Sequence, residues 1–267
     1  MKEQDKRISA LINLLQDEDL KVASLAMEQF LLLGDDTERA IAEHQDDGDP
    51  QLRQRIHQLT GIVRRRQQRQ QFADDVLAEN MSIWDGVCRI NELYDPECNR
   101  RTIDRGVSEA TKSVSRRRKV SIPHLAALMR QSEFSVPGED IMDVDLYLAE
   151  NVLETRFGSS VVLCALAHEI GLRRGLNTTV VLHRGQYCLA DAKGMLLNPL
   201  NWQVSKIEEK EPIHPCAPRD VWIGVLGQLF TVALVEGQLR DLSHLGFILT
   251  ALNGDDLDTL PYPLGGV

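Results

Sequence analysis

Residues 156–182 read RFGSSVVLCALAHEIGLRRGLNTTVVL. Val161–Ala167 is apolar without interruption, and a helix that is hydrophobic all round is one that core surrounds. Gly158-Ser159-Ser160 supplies its start, because a serine side chain can accept a hydrogen bond from the orphan N–H groups of a first turn. Gly175 follows the basic pair Arg173 and Arg174, as a glycine just beyond a helix C-terminus does. Arg156–Leu176 therefore predicts one buried, central helix. The β-branched run Thr178–Leu182 comes next, then Gln186–Ala190 and Lys193–Leu197, with the turn Asp191-Ala-Lys-Gly194 between the last two. Short strands joined by hairpin turns after a helix predict an α+β fold, mostly helical, with a small antiparallel sheet packed on the central helix.

Working outward, residues 73–155 carry helical texture at Asp75–Cys88, Val107–Arg118, Ile122–Gln131 and Val144–Glu154. Turns are expected at Tyr94-Asp-Pro-Glu97 and Val136-Pro-Gly-Glu139. Asp220–Val235 and Leu239–Leu252 form a helical hairpin with Gly237 at its corner, closed by Asn253-Gly-Asp-Asp256 and Pro261-Tyr-Pro263, and the last residues, PLGGV, read as loose.

The first 70 residues repeat. Asp17-x-Asp19 aligns with Asp47-x-Asp49 at a period of 30, which superposes Val22 on Leu52 and Ala26 on Ile56 and fails at Gln29 and Leu59. Each acidic turn precedes an amphipathic helix, and Pro50 opens the second, where its missing N–H costs nothing. Ile8–Leu15 and Ala40–Glu43 are apolar stretches before each turn. Two copies of a helix-turn-helix unit result, either a short HEAT-like pair or a generic helical hairpin bundle. The basic stretches at Ile62–Gln71 (IVRRRQQRQQ) and Arg116–Lys119 read as solvated helix ends in preference to docking stripes. The expected domains are 1–72, helical repeats; 73–215, the α+β core; and 216–267, a C-terminal helical hairpin.

The 267 residues are 43% hydrophobic and 26% charged, an ordinary globular balance. A net charge of −10 argues against a nucleic-acid or anionic-membrane surface. The N-terminus, MKEQDKRISALINLL, lacks an apolar segment and cleavage site of secretory type. Val221–Val235 is shorter than the ~20 residues a spanning helix needs. Five cysteines with no CxxC spacing fit reduced thiols, without a disulfide framework or a cysteine zinc site. A cytoplasmic location with no cofactor and no metal is expected.

Residues 182–199, LHRGQYCLADAKGMLLNP, hold His183, Cys188 and Asp191 within nine positions. As a local Cys-His-Asp triad they are poorly arranged: strand side chains alternate faces, five residues separate His183 from Cys188, and Asp191 lies in a turn. Ser159 and Ser160 hold the position where a helix terminus stabilises a nucleophile. Cys164, a turn further in and flanked by Leu163 and Ala165, reads as a small buried hydrophobe. His168 and His183 read as partly buried histidines, and a metal site from His168, Glu169 and His183 lacks supporting spacing.

Asn151–Asn201 resembles the SirB-type bacterial branch of the transglutaminase-like superfamily. Val152-Leu153-x-x-Arg156-x-Gly158 matches that family's approach to its helix. Gly185-Gln186-Tyr187 matches its Gly-His-aromatic step with Gln for His, and Asn198-Pro199-Leu200-Asn201 its Asp-Pro-aromatic-Asn step with Asn for Asp. The nucleophile position falls on Ser160. The resemblance implies a transglutaminase-like, cysteine-protease-like core whose triad-equivalent site is Ser160, Gln186 and Asn198. Gln186 has no titratable nitrogen to take a proton from Ser160, and Asn198 carries no charge to stabilise an imidazolium. The three are expected to form a hydrogen-bonded polar network in an inactive protein that serves as a protein-binding or scaffold module. The protein partner is expected on the helical repeats, with a small peptide or amide in the vestigial cleft. The alternatives are a divergent hydrolase or acyl-transferase using Ser160 or Cys164, with His183 as the fallback base, or structural support within an assembly.

Overall fold

The computed structural model describes residues 2–33, 35–78, 81–95, 98–112, 120–138, 142–208 and 212–253. The chain divides into two compact units, residues 1–71 and 72–267.

The first unit is built from α1 (Lys2–Leu15), α2 (Leu20–Leu31), α3 (Asp35–His44) and most of α4 (Pro50–Leu77). The two acidic turns fold alike. Asp17 Oδ1 accepts from Asp19 N at 2.8 Å and Asp19 Oδ1 from Lys21 N at 2.8 Å. Thirty residues later, Asp47 Oδ1 accepts from Asp49 N at 3.0 Å and Asp49 Oδ1 from Gln51 N at 2.9 Å. Paired Asx turns present a helix start each time, because the aspartate satisfies N–H groups that the first turn leaves open. Leu11, Leu15, Ala26, Phe30, Ile41, Leu52, Ile56 and Leu59 form this unit's core. The basic run belongs to α4, which continues through it to Leu77, and Arg66 Nη1 donates to Leu31 O at 3.4 Å, at the end of α2.

The second unit contains α5 (Ile83–Tyr94), α6 (Arg100–Lys112), α7 (Ile122–Gln131), a 3-10 turn (Val144–Tyr147), α8 (Ala149–Thr155) and α9 (Ser160–Arg173). A five-stranded sheet follows, made of β1 (Thr178–His183), β2 (Gln186–Asp191), β3 (Met195–Asn198), β4 (Gln203–Lys206) and β5 (Ile213–Pro215). α10 (Pro218–Glu236) and α11 (Leu239–Asn253) close the chain. The sheet is wholly antiparallel, in the order β4-β3-β2-β1-β5.

The mostly helical α+β class is as expected, and so is the place of α9. Val161–Ala167 are all buried, and α9 packs on β1 and β2 as well as on α5, α6, α7 and α10. Several boundaries differ. Asp75–Cys88 is two helices, because Ser82 caps α5: its Oγ accepts from Asp85 N at 3.0 Å and donates to Asp85 Oδ2 at 2.7 Å. Val144–Glu154 is split at Leu148, whose extended backbone ends the 3-10 turn and starts α8 while its side chain is buried. α10 and α11 share their core with α9. Val221, Trp222, Val225, Leu226 and Leu229 of α10, with Leu242, Leu245 and Leu252 of α11, belong to the same hydrophobic core as α9.

α10 has 19 residues, and among the described residues it alone is long and apolar enough to cross a membrane by length and composition. Its hydrophobic side is occupied by that shared core. The expectations for Arg116–Lys119, Pro96-Glu97, Glu139 and everything after Asn253 lie outside the described residues.

The sheet has two unlike faces. Val180, Leu189 and Leu197 face α9 and the main core. Val181, Cys188 and Leu196 point the other way and form a small second cluster with Ile207 and Ile213. β4 and β5 are the two edges of the sheet, so the connection between them passes from one edge to the other. Ile207 and Ile213, at its ends, pack on the outer face.

Candidate functional site

The candidate site is the start of α9 and the strand ends that follow it. The chain reaches α9 through a fixed approach. Ser135 N donates to Arg156 O at 3.0 Å, Gly158 N to Ser135 O at 3.1 Å and Ser159 N to Leu146 O at 2.8 Å. A Cβ on Gly158 would stand 2.9 Å from Val152 Cγ1, so this position excludes a side chain. Ser159 is the N-cap: its Oγ accepts from Val162 N at 3.4 Å. Ser160 is the first helical residue and is half-buried. The run Val152-Leu153-x-x-Arg156-x-Gly158 is thus a packing device that locks the end of α8 against the start of α9.

Gln186 and Asn198 do not meet Ser160. Gln186 is two residues before Cys188 on β2 and paired with His183, so it lies on the outer face, where it is exposed. Asn198 follows Leu197 on β3, and alternation turns it outward as well. Ser160 belongs to the helix beneath the opposite face. Among the described residues no side-chain hydrogen bond joins the three, and the expected polar network is absent. Ser160 lies at the start of α9, Gln186 at the start of β2 and Asn198 at the end of β3, and the parity of the strands points the last two side chains away from the helix.

The strand-end polar groups have work of their own. Asn198 Oδ1 accepts from Leu200 N and Asn201 Oδ1 from Gln203 N, each at 2.9 Å. These two Asx turns carry the chain from β3 to β4. Trp202 at their end has φ of 54° and buries its indole, whose Nε1–H donates to Phe134 O at 2.6 Å. Asp191 Oδ1 accepts from Lys193 N at 2.9 Å and Met195 N at 3.0 Å, which forms the β2–β3 turn with Gly194 at φ 72°. Asn198 and Asp191 are turn formers, and neither orients a base.

The fallback pair also fails. Cys164 is 1% exposed in the main core, and burial pushes its thiol well above the ordinary range, with Cys188 and Cys216 nearby adding to the effect. His183 ends β1 opposite Gln186 and Ile213, on the outer face. Cys188, the other thiol of the opening hairpin, is buried and raised to about 11 by desolvation. A thiolate nucleophile is disfavoured at both cysteines.

His168 Nδ1 lies 2.8 Å from Thr178 Oγ1, which ties α9 to the first residue of β1. Glu169 is taken by Arg173, 2.7 Å away. No group of three or more metal-ligating side chains occurs among the described residues. Burial lowers the His168 pKa below its usual 6.5, opposed by the charge of Glu169. A histidine with a depressed folded pKa is neutral in the folded state while the unfolded chain already takes up a proton, so stability falls as pH drops through 6.5 and levels off below the folded value. An NMR titration of the His168 ring should have its midpoint below 6.5, and a midpoint at or above 6.5 contradicts this environment.

No family model, curated protein or solved structure matches the chain.

Proposed function

We propose that this protein is a non-catalytic member of the transglutaminase-like class that acts as a protein-binding or scaffold module. The observation that supports the reading is at α9: a buried helix opens on serine and antiparallel strands follow it, while the amides Gln186 and Asn198 are turned to the sheet's other face. Proton transfer from Ser160 needs a base within about 2.6–3.2 Å or one water away, and neither amide can serve. The buried Cys164 offers no substitute nucleophile. For partner binding, Leu25 of α2 and Leu32, the C-cap of that helix, are seven residues apart and 61% and 73% exposed, apolar side chains of the kind that protein partners cover.

The test is activity of the purified full chain on amide and ester substrates, with fluorophosphonate and iodoacetamide labelling read by peptide mapping. The expected result is no turnover and no adduct at Ser160 or Cys164. Turnover that disappears in Ser160→Ala overturns the proposal in favour of a divergent hydrolase or acyl-transferase.

A further inference from the structure

A cavity of about 310 Å³ lies between α6 and α8, lined by charged groups of which only Arg156 also belongs to the approach to α9, where its backbone carbonyl is the part used. Its floor is apolar and close-packed: a Cβ on Gly106 of α6 would stand 3.2 Å from Leu153 Cδ1 of α8. Its walls carry Arg105 and Glu109 from α6, and Glu150, Glu154 and Arg156 from α8 and its end. The volume is at the small end of the range for ligand sites.

Arg156 is the unusual member. It is the C-cap of α8 with φ of 69°, a left-handed conformation normally given to glycine, because a Cβ there is strained. Its guanidinium lies over the Phe134 ring, 4.8 Å from the centroid, which fixes the group by cation–π attraction. Among the described residues it forms no side-chain hydrogen bond and no ion pair, and its Nη1 is buried without a partner. A guanidinium has five donors in a rigid fork matched to a carboxylate. Here the fork is held in place, and no described residue supplies it with an acceptor although two glutamates of α8 line the same cavity.

Charge selects the ligand. The lining holds two positive groups, Arg105 and Arg156, and three negative ones, Glu109, Glu150 and Glu154, a net of −1. A simple anion would satisfy Arg156 and leave the glutamates opposed. A simple diamine would satisfy the glutamates and leave Arg156 without an acceptor. A molecule with one carboxylate and two cationic groups matches both and neutralises the site. We propose that the α6–α8 cavity binds a cationic amino acid of the arginine or lysine type, its carboxylate on Arg156 and its cationic groups on the glutamates. This inference does not rest on the reading of the α9 site.

Isothermal titration of the full chain with L-arginine and L-lysine tests it, with L-norleucine lacking the second cation and agmatine lacking the carboxylate. Binding of the cationic amino acids is expected, with both analogues weaker by about tenfold or more. Glu154 is exposed, so Glu154→Gln should fold normally and weaken L-arginine about fivefold or more. Arg156→Lys should weaken it further, since an ammonium cannot reproduce the fork. No heat and no NMR shift with about 10 mM L-arginine, equal binding of norleucine or agmatine, or unchanged affinity in Glu154→Gln overturns the proposal.

Discussion

Gly86→Ala is expected to unfold the second unit at temperatures where the parent chain is intact. The Cβ would stand 2.0 Å from Trp222 Nε1 and 2.2 Å from Cε2, distances at which one group has to move. Trp222 has nowhere to go. It is 1% exposed, and its Nε1–H donates to Ile83 O at 3.0 Å, which ties α10 to the first turn of α5. Either the two helices separate or the indole leaves its slot and breaks that hydrogen bond. Overpacking of a rigid core costs about 1–3 kcal/mol, occasionally more, and the lost hydrogen bond adds about 1 kcal/mol. The expected total of about 2–4 kcal/mol lowers the midpoint by about 5–15 °C for a unit of this size. All three tryptophans, Trp84, Trp202 and Trp222, lie beyond residue 71, so intrinsic fluorescence reports this unit. Gly227→Ala is the control: nothing lies within 4 Å of its Cβ, and exchanging a mid-helix glycine for alanine should stabilise by about 0.5–1 kcal/mol. A Gly86→Ala midpoint within a degree or two of the parent would mean that α5 and α10 do not cross as closely as this.

What could be read from the sequence followed the strength of each local signal. The stretch around α9 is legible because two independent signals agree there, an unbroken apolar run and caps at both ends. The acidic turns are legible because aspartate forms the same Asx geometry wherever it sits before a helix, and the repeat at 30 residues is a repeat of that chemistry. β4 and β5 carry no such signal because they are short and polar: Gln203-Val-Ser-Lys206 and Ile213-His-Pro215 bury little and show no sustained alternation. The site was half legible. Sequence order alone places Ser160 at a helix start and Gln186 and Asn198 on the strands that follow. The face each strand residue occupies depends on register, and a shift of one residue reverses every side chain. Only the pairing of Val181 with Cys188 and Leu189 with Leu197 decides that Gln186 and Asn198 look outward. The cavity at Arg156 had one sequence signal, an arginine just before Phe157-Gly158 at the end of a short helix, and nothing local says that such a residue takes the left-handed conformation over an aromatic ring.

Arg55→Met is expected to loosen the first unit and leave the second unchanged. Arg55 of α4 is 6% exposed, and its Nη1 donates to Leu15 O, the last residue of α1, and to Asp17 O at 2.5 Å. A helix end leaves four carbonyls without partners and carries a partial negative charge that a cation complements. One guanidinium supplies both. It therefore joins the second repeat's helix to the first repeat's turn, reaching back 38–40 residues along the chain. Methionine keeps the length and the apolar stem but removes the donors. Two carbonyls then lose their bonds: Leu15 O is buried, and an unsatisfied buried acceptor costs about 1–3 kcal/mol, while Asp17 O, on an exposed residue, keeps Gln51 Nε2 at 3.5 Å and costs less. A net loss of about 2–3 kcal/mol should speed amide exchange through α1 and α2 by about thirty- to a hundredfold, with α9 amides unaffected. Arg55→Lys should fall between the two, because one ammonium cannot span both carbonyls as the fork does. The position thirty residues earlier is Leu25, which has no donor, so the clamp is made once, between the repeats and not within each. Protection in α1 that survives Arg55→Met unchanged would show that the turn holds itself through Asp17 and Asp19 alone.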